Sequence, residues 1–115
     1  MVNRIIAYSV GADDTATRDF YTHVLGLDVA MDDPVLGLRS ADAPAAQVLV
    51  LEPGPLVPRW GIDLGTPEAV DTAHAESVRR GLRVVYPLTD ESWGVRRFFV
   101  EDPGGTVINV LAHLG

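Results

Sequence analysis

Hydrophobic and polar positions alternate in short blocks along this chain. Val2–Val10 (V-N-R-I-I-A-Y-S-V) is apolar on both parities, which predicts a central strand. Gly11-Ala12-Asp13-Asp14 breaks it. Asp13 or Asp14 is placed to cap a helix through about Val24, with Ala16, Phe20 and Val24 four apart on one face and Tyr21 and Leu25 beside them. Gly26 suits the helix end. Three short strands follow at about 28–31, 35–39 and 47–51. Glu52-Pro53-Gly54-Pro55-Leu56-Val57-Pro58 fits neither a helix nor a central strand.

The pattern then starts again. Arg59–Leu64 reads as a strand. Thr66 caps a helix with Pro67 at its first position, and Val70, Ala73 and Ser77 give it a small-residue apolar face. Gly81 ends it. Leu82–Tyr86 is a strand, Pro87–Ser92 a loop, and Val95–Glu101 with Thr106–Leu111 a hairpin around the turn residues Asp102-Pro103-Gly104-Gly105. Val24-Leu25-Gly26-Leu27-Asp28-Val29 matches Arg79-Arg80-Gly81-Leu82-Arg83-Val84, and the two glycines lie 55 residues apart. The expectation is an α+β fold: one domain over residues 1–115, made of two tandem βαβββ modules, 1–52 and 59–115, joined by a Pro-rich linker at 53–58. Each module is too small to bury a good core alone. Together their strands would form a curved mixed sheet around a cleft, with the helices outside.

Composition narrows the function. A net charge of −7 argues against nucleic acid, whose phosphates need a basic surface, and is compatible with attraction of a cation. No apolar run approaches the length of a membrane span, and the polar Asn3 and Arg4 argue against a signal peptide, so no membrane association is expected. The absence of cysteine excludes disulfides and thiolate chemistry and fits a cytoplasmic setting. No serine has an evident histidine partner and no two carboxylates face each other, so no catalytic residue is named. His23 and His74 fall in the two helices and His113 near the end, where solvated surface positions are expected.

Three runs carry a resemblance: Phe20-Tyr21-x-x-Val24-Leu25-Gly26-Leu27, Trp93-Gly94-Val95-Arg96-Arg97-Phe98 and Asp102-Pro103-Gly104-Gly105-Thr106. In this order within a duplicated βαβββ they resemble the vicinal oxygen chelate superfamily of glyoxalases, extradiol dioxygenases and bleomycin-resistance proteins. The second run is similar to the W-G-x-R-x-F of the bleomycin-resistance branch. The third is similar to that branch's D-P-x-G-N turn, with Thr106 in place of Asn. The resemblance implies metal-ligand positions that fall on Ile5 (Ile6 if the pre-helix loop is aligned without its extra residue), Arg59 and Asn109. An alkyl group cannot bind a metal and a guanidinium repels one, so neither metal nor cofactor is expected.

Alternation assigns the remaining pocket positions. With Asn109 in the cleft, Val107 and Leu111 join it, while Ile108 and Val110 lie under the helices. With Arg59 in the cleft, Gly61 and Asp63 follow, Asp63 placed to pair with Arg59. Ile5, Ala7 and Ser9 are expected in the cleft and Tyr8 under a helix. Arg-Arg and Phe-Phe leave the parity of the next strand open: one of Phe98 or Phe99 and one of Arg96 or Arg97 face inward, and Phe98 is the candidate named. Trp93 in its loop is either a partly exposed ligand platform or a core plug; the resemblance implies stacking on a planar ligand. The candidate ligand-binding set is Trp93, Phe98, Asp63, Arg59, Asn109, Ile5 and Ala7. The function expected is metal-independent binding of a planar or cationic small molecule by a homodimer, as in antibiotic resistance. The rivals are a metal-dependent glyoxalase-type lyase, isomerase or dioxygenase, and a non-catalytic interaction module with a vestigial pocket.

Overall fold

The first strand pairs on both sides, and from that the architecture follows. A computed structural model describes residues 2–115 of the chain. β1 (Arg4–Val10) runs parallel to β4 (Ala46–Leu51) and antiparallel to β5 (Trp60–Asp63). β5 runs parallel to β8 (Val107–His113). Outward from this centre lie β3 (Leu36–Arg39) and β2 (Asp28–Met31) on one side, and β7 (Val95–Glu101) and β6 (Val84–Glu91) on the other. The result is an open eight-stranded mixed sheet in the order β2-β3-β4-β1-β5-β8-β7-β6, an α+β fold with two helical segments on one face.

The two halves are related by the register. Ile6 lies opposite Gly61 across the β1–β5 pair, separated by the same 55 positions as Gly26 and Gly81. In the first half Ile6 pairs with Gln47; in the second, Gly61 pairs with Asn109. Gln47, Ile6, Gly61 and Asn109 therefore stand in one row across the four central strands.

The helices differ in what they hold. α2 (Pro67–Arg79) is capped by Thr66, whose side chain accepts from the Ala69 N–H at 3.2 Å, and has Pro67 at its start. Its Val70 and Ala73 pack on Phe98, Val100, Val110 and Ala112, the main core of the second half. Asp14 caps α1 (Thr15–Asp19), accepting from the Thr17 N–H at 2.8 Å. The chain then widens into a π-helical turn, Phe20–Val24, closed by Leu25 N–H to the Phe20 carbonyl at 3.1 Å. This corrects the expected single amphipathic helix. The wider turn disrupts the four-residue spacing of Ala16, Phe20 and Val24, and all three are exposed. Tyr21 and Leu27 instead anchor the segment on Leu36, Leu38 and Val50, and Tyr21 Oη donates to Ser9 Oγ at 2.9 Å.

One strand is longer than expected. β6 continues through Pro87 and Leu88 to Glu91, across residues read as a loop. As an edge strand paired only with β7, it tolerates a residue without an N–H, and its register shifts between Tyr86 and Thr89.

Candidate functional site

The concave face of the sheet forms a cleft of about 710 Å³, a size that suits a small organic ligand. Its floor follows from strand parity. Gln47, Ile6 and Asn109 of the central row line it, and the row continues through Phe99 and Tyr86, which pair with Asn109 and with each other in turn. Leu49, Tyr8, Leu111 and Arg97 lie alongside. The far side is closed by residues 54–58 of the proline-rich segment, so this connection between the halves also serves as a wall of the cleft.

Several side chains expected in the cleft lie elsewhere. Ile5 (55% exposed) and Ala7 are on the convex face, and Ile6 and Tyr8 face the cleft in their place. β1 is apolar on both parities, so alternation carried no information there, and a shift of one residue exchanges the faces. Phe98 is fully buried under α2, edge-on to His74 at 5.0 Å; its neighbour Phe99 lines the cleft, with Arg97 on the same face. Arg59 precedes β5 and is exposed outside the cleft, where its N–H bonds the Val107 carbonyl. Asp63, 2% exposed, pairs with Arg4 at 2.8 Å rather than with Arg59. Trp93 and Asn109 do line the cleft. Sequence reasoning missed Arg4, Tyr8, Tyr86 and His113. Tyr86 closes a strand next to a proline, and His113 carries no periodicity that marks it.

At one end of the floor Arg4 is held by three partners. Its Nε donates to Asp63 Oδ2, Nη1 contacts Gln47 Oε1, and Nη2 lies 2.9 Å from His113 Nε2. Burial works against the charged form of Asp63, but the bonds from Arg4 and from the Gly65 N–H outweigh it and leave the carboxyl below its ordinary pKa.

Towards the other end stands Arg97. Its guanidinium lies 5.1 Å from the Tyr86 ring centroid, 5.2 Å from that of Trp93 and 4.9 Å from that of Phe99. Arg97 Nε donates to Glu91 Oε2 at 2.6 Å, and Tyr86 Oη donates to the same oxygen at 2.8 Å. Trp93, at the β6–β7 turn, remains 52% exposed. Gly94 completes that turn at φ +86°, a conformation that favours glycine. The protein's own Arg97 thus occupies the cation position among these rings, while Trp93 keeps open surface beside it.

In the middle, Gly61 makes room for Tyr8. A Cβ at residue 61 would stand 2.3 Å from Tyr8 Oη. Asn109 Nδ2 donates to that oxygen at 2.8 Å. Burial raises the Tyr8 pKa, and the Asn109 bond and the charges of Arg97 and Arg4 only partly offset it. The phenol therefore stays protonated at neutral pH. Asn109 Oδ1 is buried and has no hydrogen-bond partner among the described residues.

The central row offers an alkyl group, two neutral amides and a glycine. Among the described residues no three His, Asp or Glu side chains converge as a metal ligand set would require. Arg4, Arg39, Arg97 and Glu52 are the Arg and Glu side chains lining the cleft.

An open sheet built from two βαβββ halves, cupping one cleft on the face opposite its helices, defines a vicinal-oxygen-chelate-type protein. The family model for the Glyoxalase/Bleomycin resistance protein/Dioxygenase superfamily matches residues 6–110, and the chain belongs to that superfamily. No curated protein sequence matches it significantly. Among solved structures, a superfamily member from Vibrio splendidus 12B01 is similar at TM-score 0.62 and 18% identity, over 97% of this chain and 99% of that one. A variant of methylmalonyl-CoA epimerase from Streptomyces coelicolor is similar at 0.70 and 19%, over the full length of both. A mutant of homoprotocatechuate 2,3-dioxygenase from Brevibacterium fuscum is similar at 0.71 and 27%, over 97% of this chain and 33% of the dioxygenase. No helix among the described residues is long and apolar enough to cross a membrane.

Proposed function

We propose that this chain is a metal-independent small-molecule binding protein that holds a planar compound in the cleft, in the manner implied by its resemblance to bleomycin-resistance proteins. The observation that carries this reading is the pairing of an aromatic wall with a neutral floor. Tyr86, Trp93 and Phe99 line one end of the cleft, and Trp93, 52% exposed, offers the open ring surface there. Gln47, Ile6, Gly61 and Asn109 occupy its centre, where a metal enzyme of this fold would need imidazoles and carboxylates. A flat ligand over the exposed Trp93 gains stacking and buries apolar surface. Planarity rather than positive charge is the property selected, because Arg97 already takes the cation position among the rings.

The test uses a Trp60→Phe background, which leaves Trp93 as the sole tryptophan. Titration with 2-naphthoate is expected to quench its fluorescence saturably, and calorimetry is expected to show the binding weakened about tenfold or more in Trp93→Ala. No saturable quenching, or calorimetric affinity unchanged by Trp93→Ala, would overturn the reading. So would stoichiometric, tight Ni²⁺ or Zn²⁺ in the purified protein.

A further inference from the structure

The arginines that line the cleft spend their nitrogens differently. Arg4 has all of its own engaged, by Asp63, Gln47 and His113. Arg39 is exposed at the end of β3. Arg97 is fixed at one edge and open at the other. Its Nε donates to Glu91 Oε2, and its two terminal nitrogens have no acceptor among the described residues. They are not sealed in. Asn109 Oδ1 is the one fully buried side-chain nitrogen or oxygen there without a partner, so the terminal nitrogens of the half-buried Arg97 keep accessible surface. The side chain is 24% exposed and lines the cleft. A guanidinium beside aromatic rings keeps its N–H bonds in its own plane, free of the rings. The carboxylates near it are already occupied. Arg97 shares a row across the sheet with Leu111, Asp63 and Arg4. Asp63 is buried in its bonds to Arg4 and the Gly65 N–H, and Glu91 Oε2 is shared by Arg97 and Tyr86. Glu52, the acid lining the cleft, follows Leu51, which pairs with Val10 at the opposite end of β1 from Arg4.

We propose that Arg97 is an anion subsite and that the cleft takes a planar aromatic carboxylate: the two carboxylate oxygens accept from Arg97 Nη1 and Nη2 while the ring lies on the exposed Trp93. The forked donors match a carboxylate in spacing and plane. An aryl carboxylate carries this group at the edge of its flat surface, so one molecule reaches both residues; the Trp93 ring centroid is 5.2 Å from the guanidinium carbon. Glu91 and the three rings hold the fork before a ligand arrives, so little side-chain entropy is lost on binding. This inference rests on the reading of the cleft as a binding site and adds the chemical class of its ligand.

The experiment compares 2-naphthoate with 2-naphthamide by calorimetry on the intact protein at neutral pH. The two share ring surface and shape, and only the first is an anion. The carboxylate is expected to bind about tenfold or more tightly than the amide. In the double variant Arg97→Met, Glu91→Gln, which removes one charge of each sign and leaves no unpaired carboxylate, that preference should disappear. In Arg97→Lys, which keeps the charge without the fork, it should shrink. Wild-type affinity for the amide equal to or above that for the carboxylate would overturn the proposal, and so would a preference undiminished in either variant. The wild-type comparison and Arg97→Lys keep the proposal open to refutation if the double variant fails to fold. If both compounds bind equally and both weaken in Trp93→Ala, the carboxylate proposal alone fails. If neither binds, the binding-protein reading fails with it.

Discussion

At the scale of single residues, the cleft depends on which side chain is absent as well as on those present. Gly61→Ala would force a methyl against Tyr8 Oη and its ring carbon, at 2.3 and 2.9 Å. The Tyr8 ring must then move away from Asn109, and a loss of about 1–3 kcal/mol in the urea-unfolding free energy is expected, as for other overpacked sites. Asp63 gives a pH signature. Its folded carboxyl sits below the ordinary value, so the stability it contributes is present above the unfolded pKa of about 3.9 and is lost as pH falls through the folded pKa. Urea midpoints measured from pH 7 to pH 2 should hold down to about pH 4 and then drop; in Asp63→Asn that component should be missing, with a lower midpoint already at pH 7. Residue-scale features were the least legible in the sequence. Asn109, Gly61 and Leu111 alternate with the apolar Ile62 and Val110, so their faces could be read. Ile5-Ile6, Arg96-Arg97 and Phe98-Phe99 are doublets of one residue type, and a period of two cannot tell which member faces the ligand.

At the scale of elements, the two helices make unequal contributions. Val70 is fully buried at the centre of the α2 contact, so Val70→Ala removes two methyl groups from a packed site and should cost about 2 kcal/mol. Val24 of the π-helical turn is 67% exposed, and Val24→Ala should stay within about 0.5 kcal/mol in the same denaturation experiment. α2 announces itself through Thr66, Pro67 and the Val70–Ala73–Ser77 face. The first helical segment has an equally regular apolar stripe and still leaves it exposed. A π-helical turn is a backbone event with no residue signature, and it is enough to redirect a face. Pro87 misled in the opposite direction: it reads as a strand breaker, but an edge strand has N–H groups to spare.

At the scale of the whole molecule, the duplication was visible because its punctuation repeats, while the assembly of the cleft was hidden because its walls come from segments far apart in the chain. The side lined by Gln47, Leu49 and residues 54–58 comes from the first half and the linker; Tyr86, Trp93, Arg97, Phe99 and Asn109 come from the second. Only the pairing of β1 with β5 brings them to one concave face, and no local pattern encodes that pairing distance. The excess of acidic residues also lies elsewhere: a chain of net charge −7 lines its cleft with Arg4, Arg39 and Arg97 against Glu52, so bulk charge was a poor guide to the ligand. Because both walls belong to the same chain, binding should not require a second copy. The affinity for 2-naphthoate is therefore expected to be constant while protein concentration is varied across any monomer–dimer equilibrium seen by sedimentation. An affinity that rose with dimer fraction would show that a partner subunit completes the site, since mass action then couples ligand binding to association.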